Sequence, residues 1–182
     1  MLDNSQKKIL FTLARQSIEF ELGLRDCMDS FPDEFLQNPA AVFVTLKIDD
    51  ELRGCIGSIQ AVESLRDAVI HNAYSAAFRD PRFPALAKIE YPLIDLEISV
   101  LSAFRRIENP EEVIPGVHGL MITRGYYRGL LLPQVATEYD WDRETFLAYT
   151  CEKAGLPPDA WKDSQTTIEV FTAEVFSELD LS

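Results

Sequence analysis

Residues 42–59 constrain the fold more than any other stretch of the chain. Val42, Val44, Leu46 and Ile48 alternate with Phe43, Thr45 and Lys47, the period of a strand with one buried face. Asp49-Asp50-Glu51 then supplies a turn, and Leu52 to Ile59 returns as a second strand. A β-hairpin is the expected result. Its second arm carries Leu52-Arg53-Gly54-Cys55-Ile56-Gly57-Ser58, a cysteine between two glycines with an arginine just before. Alternation puts Arg53 and Cys55 on one face, and Gly54 and Ile56 on the other. Glycine weakens a strand interior, so it marks a bulge or a close approach of backbone or ligand. A strand that needs glycine for packing, with a small buried thiol filling space, explains the same residues.

A hairpin needs partners to bury its apolar face, and the rest of the chain offers them. Residues from about Ser5 to Arg25 read as an amphipathic helix, with Ile9, Leu10, Leu13, Ser17, Phe20 and Leu24 near one face. Ser64 to Phe78 reads as a second helix, capped by Ser64 with Asp67 in support, its inward stripe being Leu65, Ala68, Val69, Asn72, Ala73 and Ala76. His71 falls off that stripe, as a solvated histidine does. Asp80-Pro81-Arg82-Phe83-Pro84 is held out of helix by its prolines. Leu93 to Leu101 is the clearest strand. Gly119 to Thr123 and Tyr126 to Leu132 form a second hairpin about Arg124-Gly125. Helices follow over Gln134 to Tyr139 and Arg143 to Ala154, ended by Gly155. Thr167 to Phe176 closes the chain as a strand whose apolar phase slips near Phe171-Thr172, the mark of a bulge or a change of packing partner. This order predicts an α+β fold with mostly antiparallel sheets flanked by helices, over a single domain spanning residues 1–182.

Charge narrows the function classes. The net charge is −13, which argues against bulk nucleic acid and anionic membranes as partners. From Arg53 to Arg128, eight arginines and one lysine face nine acids, while the remainder holds 8 basic and 21 acidic residues. The middle of the chain is thus neutral and rich in arginine, the residue suited to bidentate carboxylate or phosphate contacts. A small anionic ligand there is one reading; arginines pairing with the nine acids is the other. Apolar residues make up 47% and charged residues 26%, a globular composition. No apolar run reaches the ~20 residues of a membrane helix. The start Met-Leu-Asp-Asn-Ser-Gln-Lys-Lys lacks the apolar core of a signal peptide, and Cys27, Cys55 and Cys151 are widely spaced and odd in number. A cytoplasmic protein with reduced thiols is expected.

Chemistry centres on Cys55. No CxxC or HxxxH pair suggests a metal site, and the chain has no P-loop, GxGxxG or GxSxG, so no metal and no cofactor is expected. Arg53 on the same side as Cys55 would favour a thiolate. His118, between Gly116 and Gly119, is placed to offer an imidazole as base, with Glu97 or Asp95 to orient it. Backbone N–H groups near Gly54 to Gly57 would receive an oxyanion. The plainer alternatives are a packed thiol at Cys55 and a turn histidine bonded to backbone at 118. The two carboxylates of Asp95 and Glu97 on one strand face are more often solvated or paired with arginine than catalytic.

Leu52 to Ser58 resembles the signature of the AMMECR family, also called the AmmeMemoRadiSam system protein A group. Ala77-Phe78-Arg79-Asp80-Pro81-Arg82-Phe83-Pro84, Gly116-Val117-His118-Gly119-Leu120, Gly129 to Ala136 and Lys153-Ala154-Gly155-Leu156 resemble its later blocks in the same order. The resemblance spans nearly the whole chain. It implies two intimately packed lobes with the glycine–cysteine stretch facing a crevice. It also implies membership of a system with a Memo-like protein and a radical SAM enzyme. Two functional readings follow. In the first, the chain is a cysteine-dependent enzyme or enzyme accessory, Cys55 and His118 carrying the chemistry on a small anionic substrate. In the second it is a non-catalytic binding or adaptor module. There Arg53, Gly54, Gly57, Asp80, Arg82 and Gln134 hold the ligand, His118 beside them, with Cys55 as a contact.

Overall fold

In a computed structural model, which describes residues 1–181, the chain divides into two compact units. The first comprises residues 1–101 and the described residues from 174 on; the second, residues 102–173, is inserted between them. The fold is α+β with two four-stranded antiparallel sheets.

The first unit is built on the predicted hairpin. Strand β1 (Ala41–Ile48) pairs with β2 (Glu51–Gly57) through a two-residue loop, Asp49-Asp50. Both loop residues have positive φ, 53° and 64°, the backbone that matches the twist of a hairpin and that aspartate tolerates. A register shift falls between Leu46 and Lys47. β1 pairs on its other side with β3 (Asp95–Leu101), and β8 (Ala173–Ser177) follows, giving the order β2-β1-β3-β8. One face of this sheet carries Val42, Val44, Leu46, Leu96 and Ile98, all buried against helices α1 (Asn4–Glu21) and α2 (Leu65–Phe78). Ser64 caps α2, its hydroxyl accepting from the Asp67 N–H. α1 starts one residue before the expected Ser5 and is capped by Asp3 in a reciprocal box with Gln6.

The buried stripe of α1 is Leu10, Leu13, Ala14, Ser17 and Ile18, whereas Phe20 and Leu24 are half exposed. The Ser17 hydroxyl donates to the Ile70 carbonyl of α2, which fixes the face that α1 turns inward. The helix stops at Glu21, and Gly23 takes a positive φ of 63°, so Leu24 leaves the stripe.

The second unit has strand order β4-β7-β5-β6, from β4 (Arg105–Ile107), β5 (Gly119–Arg124), β6 (Tyr127–Leu131) and β7 (Thr167–Phe171). Leu120, Ile122, Ile168 and Val170 pack on Phe146, Leu147 and Cys151 of α4 (Arg143–Lys153), with Ala136 of α3 (Pro133–Glu138) alongside. β4 was not expected from the sequence; three residues, two of them exposed arginines, show no apolar alternation and become a strand only by pairing with β7. The expected closing strand is two strands. Only Thr172 separates β7 from β8, and they belong to different sheets. The phase slip at Phe171-Thr172 is this change of sheet. Ser102 and Thr172 mark the two passages of the chain and are hydrogen-bonded to each other, N–H to carbonyl at 2.8 Å and N–H to hydroxyl at 2.9 Å.

Candidate functional site

The glycine–cysteine stretch lies on β2, an edge strand. Gly54 faces α2 so closely that a Cβ built there would overlap the Ala76 carbonyl oxygen. A Cβ on Gly57 would overlap the Phe43 ring. Both glycines therefore let other atoms approach, Gly54 on the core face and Gly57 on the face it shares with Cys55.

An edge strand leaves every second N–H and C=O without a ladder partner. At Cys55 the loop after α2 supplies them. The Asp80 carboxylate accepts from the Cys55 N–H at 2.9 Å, and Arg82 Nη2 donates to the Cys55 carbonyl at 3.2 Å. Asp80 and Arg82 are joined by two side-chain hydrogen bonds, at 2.9 and 2.7 Å, and the Arg82 N–H adds a third to the same carboxylate. The Asp80 side chain is 1% exposed and that of Arg82 54%. The guanidinium and the two N–H donors outweigh burial and hold the Asp80 carboxyl far below the usual carboxylate range. This pair thus acts as a side-chain substitute for a neighbouring strand, one residue long.

On the other face of β2, Cys55 is half-buried and its Sγ accepts from the Thr45 hydroxyl at 3.2 Å. Arg53 turns to Glu90 and meets it with two hydrogen bonds, at 2.8 and 3.0 Å. Glu90 is lowered by that guanidinium and by the Ala87 N–H. The Phe83 ring carries both arginines, Arg82 at 5.5 Å and Arg53 at 6.0 Å from its centroid. Arg53 Nη1 is buried and makes no hydrogen bond. Glu97, one of the two expected orienting carboxylates with Asp95, is held by Lys47 at 2.9 Å. Arg53 also lines an open cavity of about 400 Å³ with Ile48, Asp49, Glu51 and Leu52.

Arg53, Gly54, Cys55, Gly57, Asp80 and Arg82 all lie in the first unit; His118 and Gln134 lie in the second. His118 Nδ1 accepts from the Ile114 N–H at 3.2 Å, so the neutral ring carries its proton on Nε2. Gln134 stands in the first turn of α3, with Oε1 buried and unpaired. His71 is exposed and bonds to Glu63 at 2.9 Å. Among the described residues no group of three or more His, Cys, Asp or Glu is placed to hold a metal ion, and no helix is long and apolar enough to cross a membrane. Sequence reasoning paired Arg53 with Cys55 and gave Glu90 no part. Glu90 lies 37 residues beyond Arg53, in a segment without periodicity, and nothing local marks it as the partner.

Together these features define an α+β protein of two sheet units, the second inserted in the chain of the first, with a half-buried thiol on an edge strand whose main chain is held by a loop. The AMMECR1 family profile matches residues 11–176, and the chain belongs to that family. A protein of Methanothermobacter thermautotrophicus is 45% identical over 97% of this chain and 96% of its own length. One from Aquifex aeolicus is 46% identical over 75% of this chain and 74% of its own. The crystal structure of an uncharacterized protein from Pyrococcus horikoshii, PH0010, is similar with a TM-score of 0.80 and 41% identity, covering 93% of this chain and 90% of that one.

Proposed function

We propose that this AMMECR1-family chain is a binding or adaptor module that uses the Leu52–Ser58 strand to present a fixed contact surface. The observation that carries this reading is the Asp80–Arg82 clamp, which occupies both main-chain groups of Cys55. A thiol fixed this way is a positioned contact. The Arg53 charge is balanced by Glu90 and the Arg82 charge by Asp80, so neither cation is left over to activate a nucleophile. The Nδ1 lone pair of His118 is taken by backbone, which leaves the neutral ring as an Nε2–H donor. On this reading Arg53, Gly54, Gly57, Asp80 and Arg82 form or support the ligand surface of the first unit, and Gln134 is a separate candidate contact in the second. Arg53 Nη1, buried with its hydrogens unused, suits a small ligand bearing an acceptor oxygen, such as an anion. The family resemblance supplies the partners, a Memo-like protein and a radical SAM enzyme in the cytoplasm, as part of the same proposal.

One observation favours the enzyme reading. The Thr45 hydroxyl donates to Cys55 Sγ, an interaction that also stabilises a thiolate. Alkylation separates the two. Cys27 is exposed and must be replaced by serine; Cys151 is fully buried, with burial pushing its thiol up, and stays. At pH 6, iodoacetamide should modify Cys55 in the folded Cys27→Ser protein at a rate close to that in the urea-unfolded chain. Faster reaction in the folded state, abolished by Thr45→Val, would establish a reactive thiol and overturn the binding reading. Reaction only after unfolding would show a packing thiol and also overturn it.

A further inference from the structure

The second unit displays a surface that the Cys55 site does not use. Tyr139, Trp141 and Tyr149 form a continuous ring stack, Tyr139 to Trp141 at 5.0 Å and 20°, Trp141 to Tyr149 at 4.2 Å and 0°. Trp141 packs against the core, while Tyr139 is 64% and Tyr149 45% exposed. Buried aromatics are ordinary, but two large rings stacked outward on an anchored tryptophan form a ready contact face. Glu138, Asp140, Asp142 and Glu144 alternate with these residues along the chain, and all four are exposed. Among the described residues none of the four is in an ion pair, although other charges there are paired, such as Arg124 with Asp163 and Arg105 with Glu112. Asp142 is committed to capping α4 through the Thr145 N–H. Arg143, the one cation in this stretch, turns away to the Val113 carbonyl at 2.8 Å. Asp140 takes a positive φ of 51°, which makes the sharp bend between the two exposed segments.

We propose that this stack docks an arginine-bearing segment of a partner protein. A guanidinium is planar and weakly hydrated, so it lies flat on an outer ring face while its N–H groups reach the flanking carboxylates. The unpaired acids choose this occupant over others. A nucleic acid brings phosphates to a surface of the same sign. An apolar helix would cover carboxylates and leave them desolvated without partners. Lysine offers a point charge without the flat face, so arginine is preferred.

The probe is the peptide acetyl-Arg-Gly-Arg-Gly-Arg-amide, with its lysine counterpart as control. Trp141 and Trp161 are the two tryptophans, so a Trp161→Phe protein makes Trp141 the reporter. The arginine peptide should change Trp141 fluorescence saturably and bind several-fold more tightly than the lysine peptide. Tyr139→Ala and Tyr149→Ala should each weaken it, on the order of tenfold for the more exposed ring. Glu138→Gln with Asp140→Asn should weaken it further and flatten its salt dependence. Each variant is checked for an unchanged melting curve, and exposed Tyr139 gives a variant that folds. Equal binding of both peptides, or binding unmoved by Tyr139→Ala, would show charge attraction alone and overturn the proposal. A concentration-dependent dimer in sedimentation that Tyr139→Ala abolishes would show that a second copy covers the face, and would overturn it too.

Discussion

The two sheets solve one problem in the same way and a second problem differently. Each contains a hairpin whose second strand is the sheet edge, β2 in one unit and β6 in the other. Each edge strand carries a glycine facing a helix or its end. Gly54 meets the Ala76 carbonyl of α2, and Gly129 meets the main chain of Ala154 just past α4. The shared device shows that these glycines set helix-to-sheet distance. The difference lies at the edge. Asp80 and Arg82 occupy the open main-chain groups of β2 at Cys55, and among the described residues no such pair of charged side chains holds the main chain of β6. At Cys55 the strand is held on one side by β1 and on the other by the loop, whereas the glycines set only the distance to neighbouring atoms.

The largest expected effect tests the shared half of this comparison. Gly54→Ala and Gly129→Ala should each cost about 3 kcal/mol in urea unfolding, because the new methyl overlaps backbone that cannot swing aside. Stability within error of the parent for either variant would end the helix-spacing role at that glycine. The second effect tests the difference. Asp80→Asn should cost about 2 kcal/mol, since it weakens the hold on the Cys55 N–H and removes the charge opposite Arg82. The sign with pH follows from the direction of the shift. A carboxyl whose folded pKa is depressed adds stability above its unfolded value, near 3.8, and loses it as pH falls through the folded value. The gap between parent and variant should therefore be full at pH 6 and should narrow in strong acid. A gap independent of pH would mean that the charge of Asp80 does nothing. The smallest effect is a control. Gly125 has a φ of 59° and nothing within 4 Å of a Cβ, so Gly125→Ala should cost under about 1 kcal/mol through backbone strain alone. A loss equal to that of Gly54→Ala would show that steric overlap is not what separates these glycines.

Alternation alone located β1, β2 and β3 to within two residues at each end, because half-buried strands repeat every second residue and Val42, Val44 and Leu46 keep that period. Ser64 and Gly155 marked ends of α2 and α4, because caps and left-handed glycines act over one turn. The second hairpin was legible for the same reason. Of the candidate residues in the first unit, Asp80 and Arg82 are hydrogen-bonded to Cys55, and Arg53 and Arg82 share the Phe83 ring. Their arrangement was not legible. Arg53 was expected to act on Cys55 and is bound to Glu90, since a guanidinium takes the carboxylate that tertiary folding brings nearest.

The sequence by itself determined the α+β class, the two hairpins and the caps at Ser64 and Gly155, because each rests on interactions within a few residues. It also carried the phase slip at Phe171-Thr172, without saying what the slip meant. Only the tertiary structure decided that β7 and β8 belong to different sheets, that Arg105–Ile107 is a strand, and that Asp80 and Arg82 close the edge of β2. The physical reason is the same in each case. An edge or a pairing partner is set by which distant main-chain groups remain to be satisfied, and no local pattern of side chains records that.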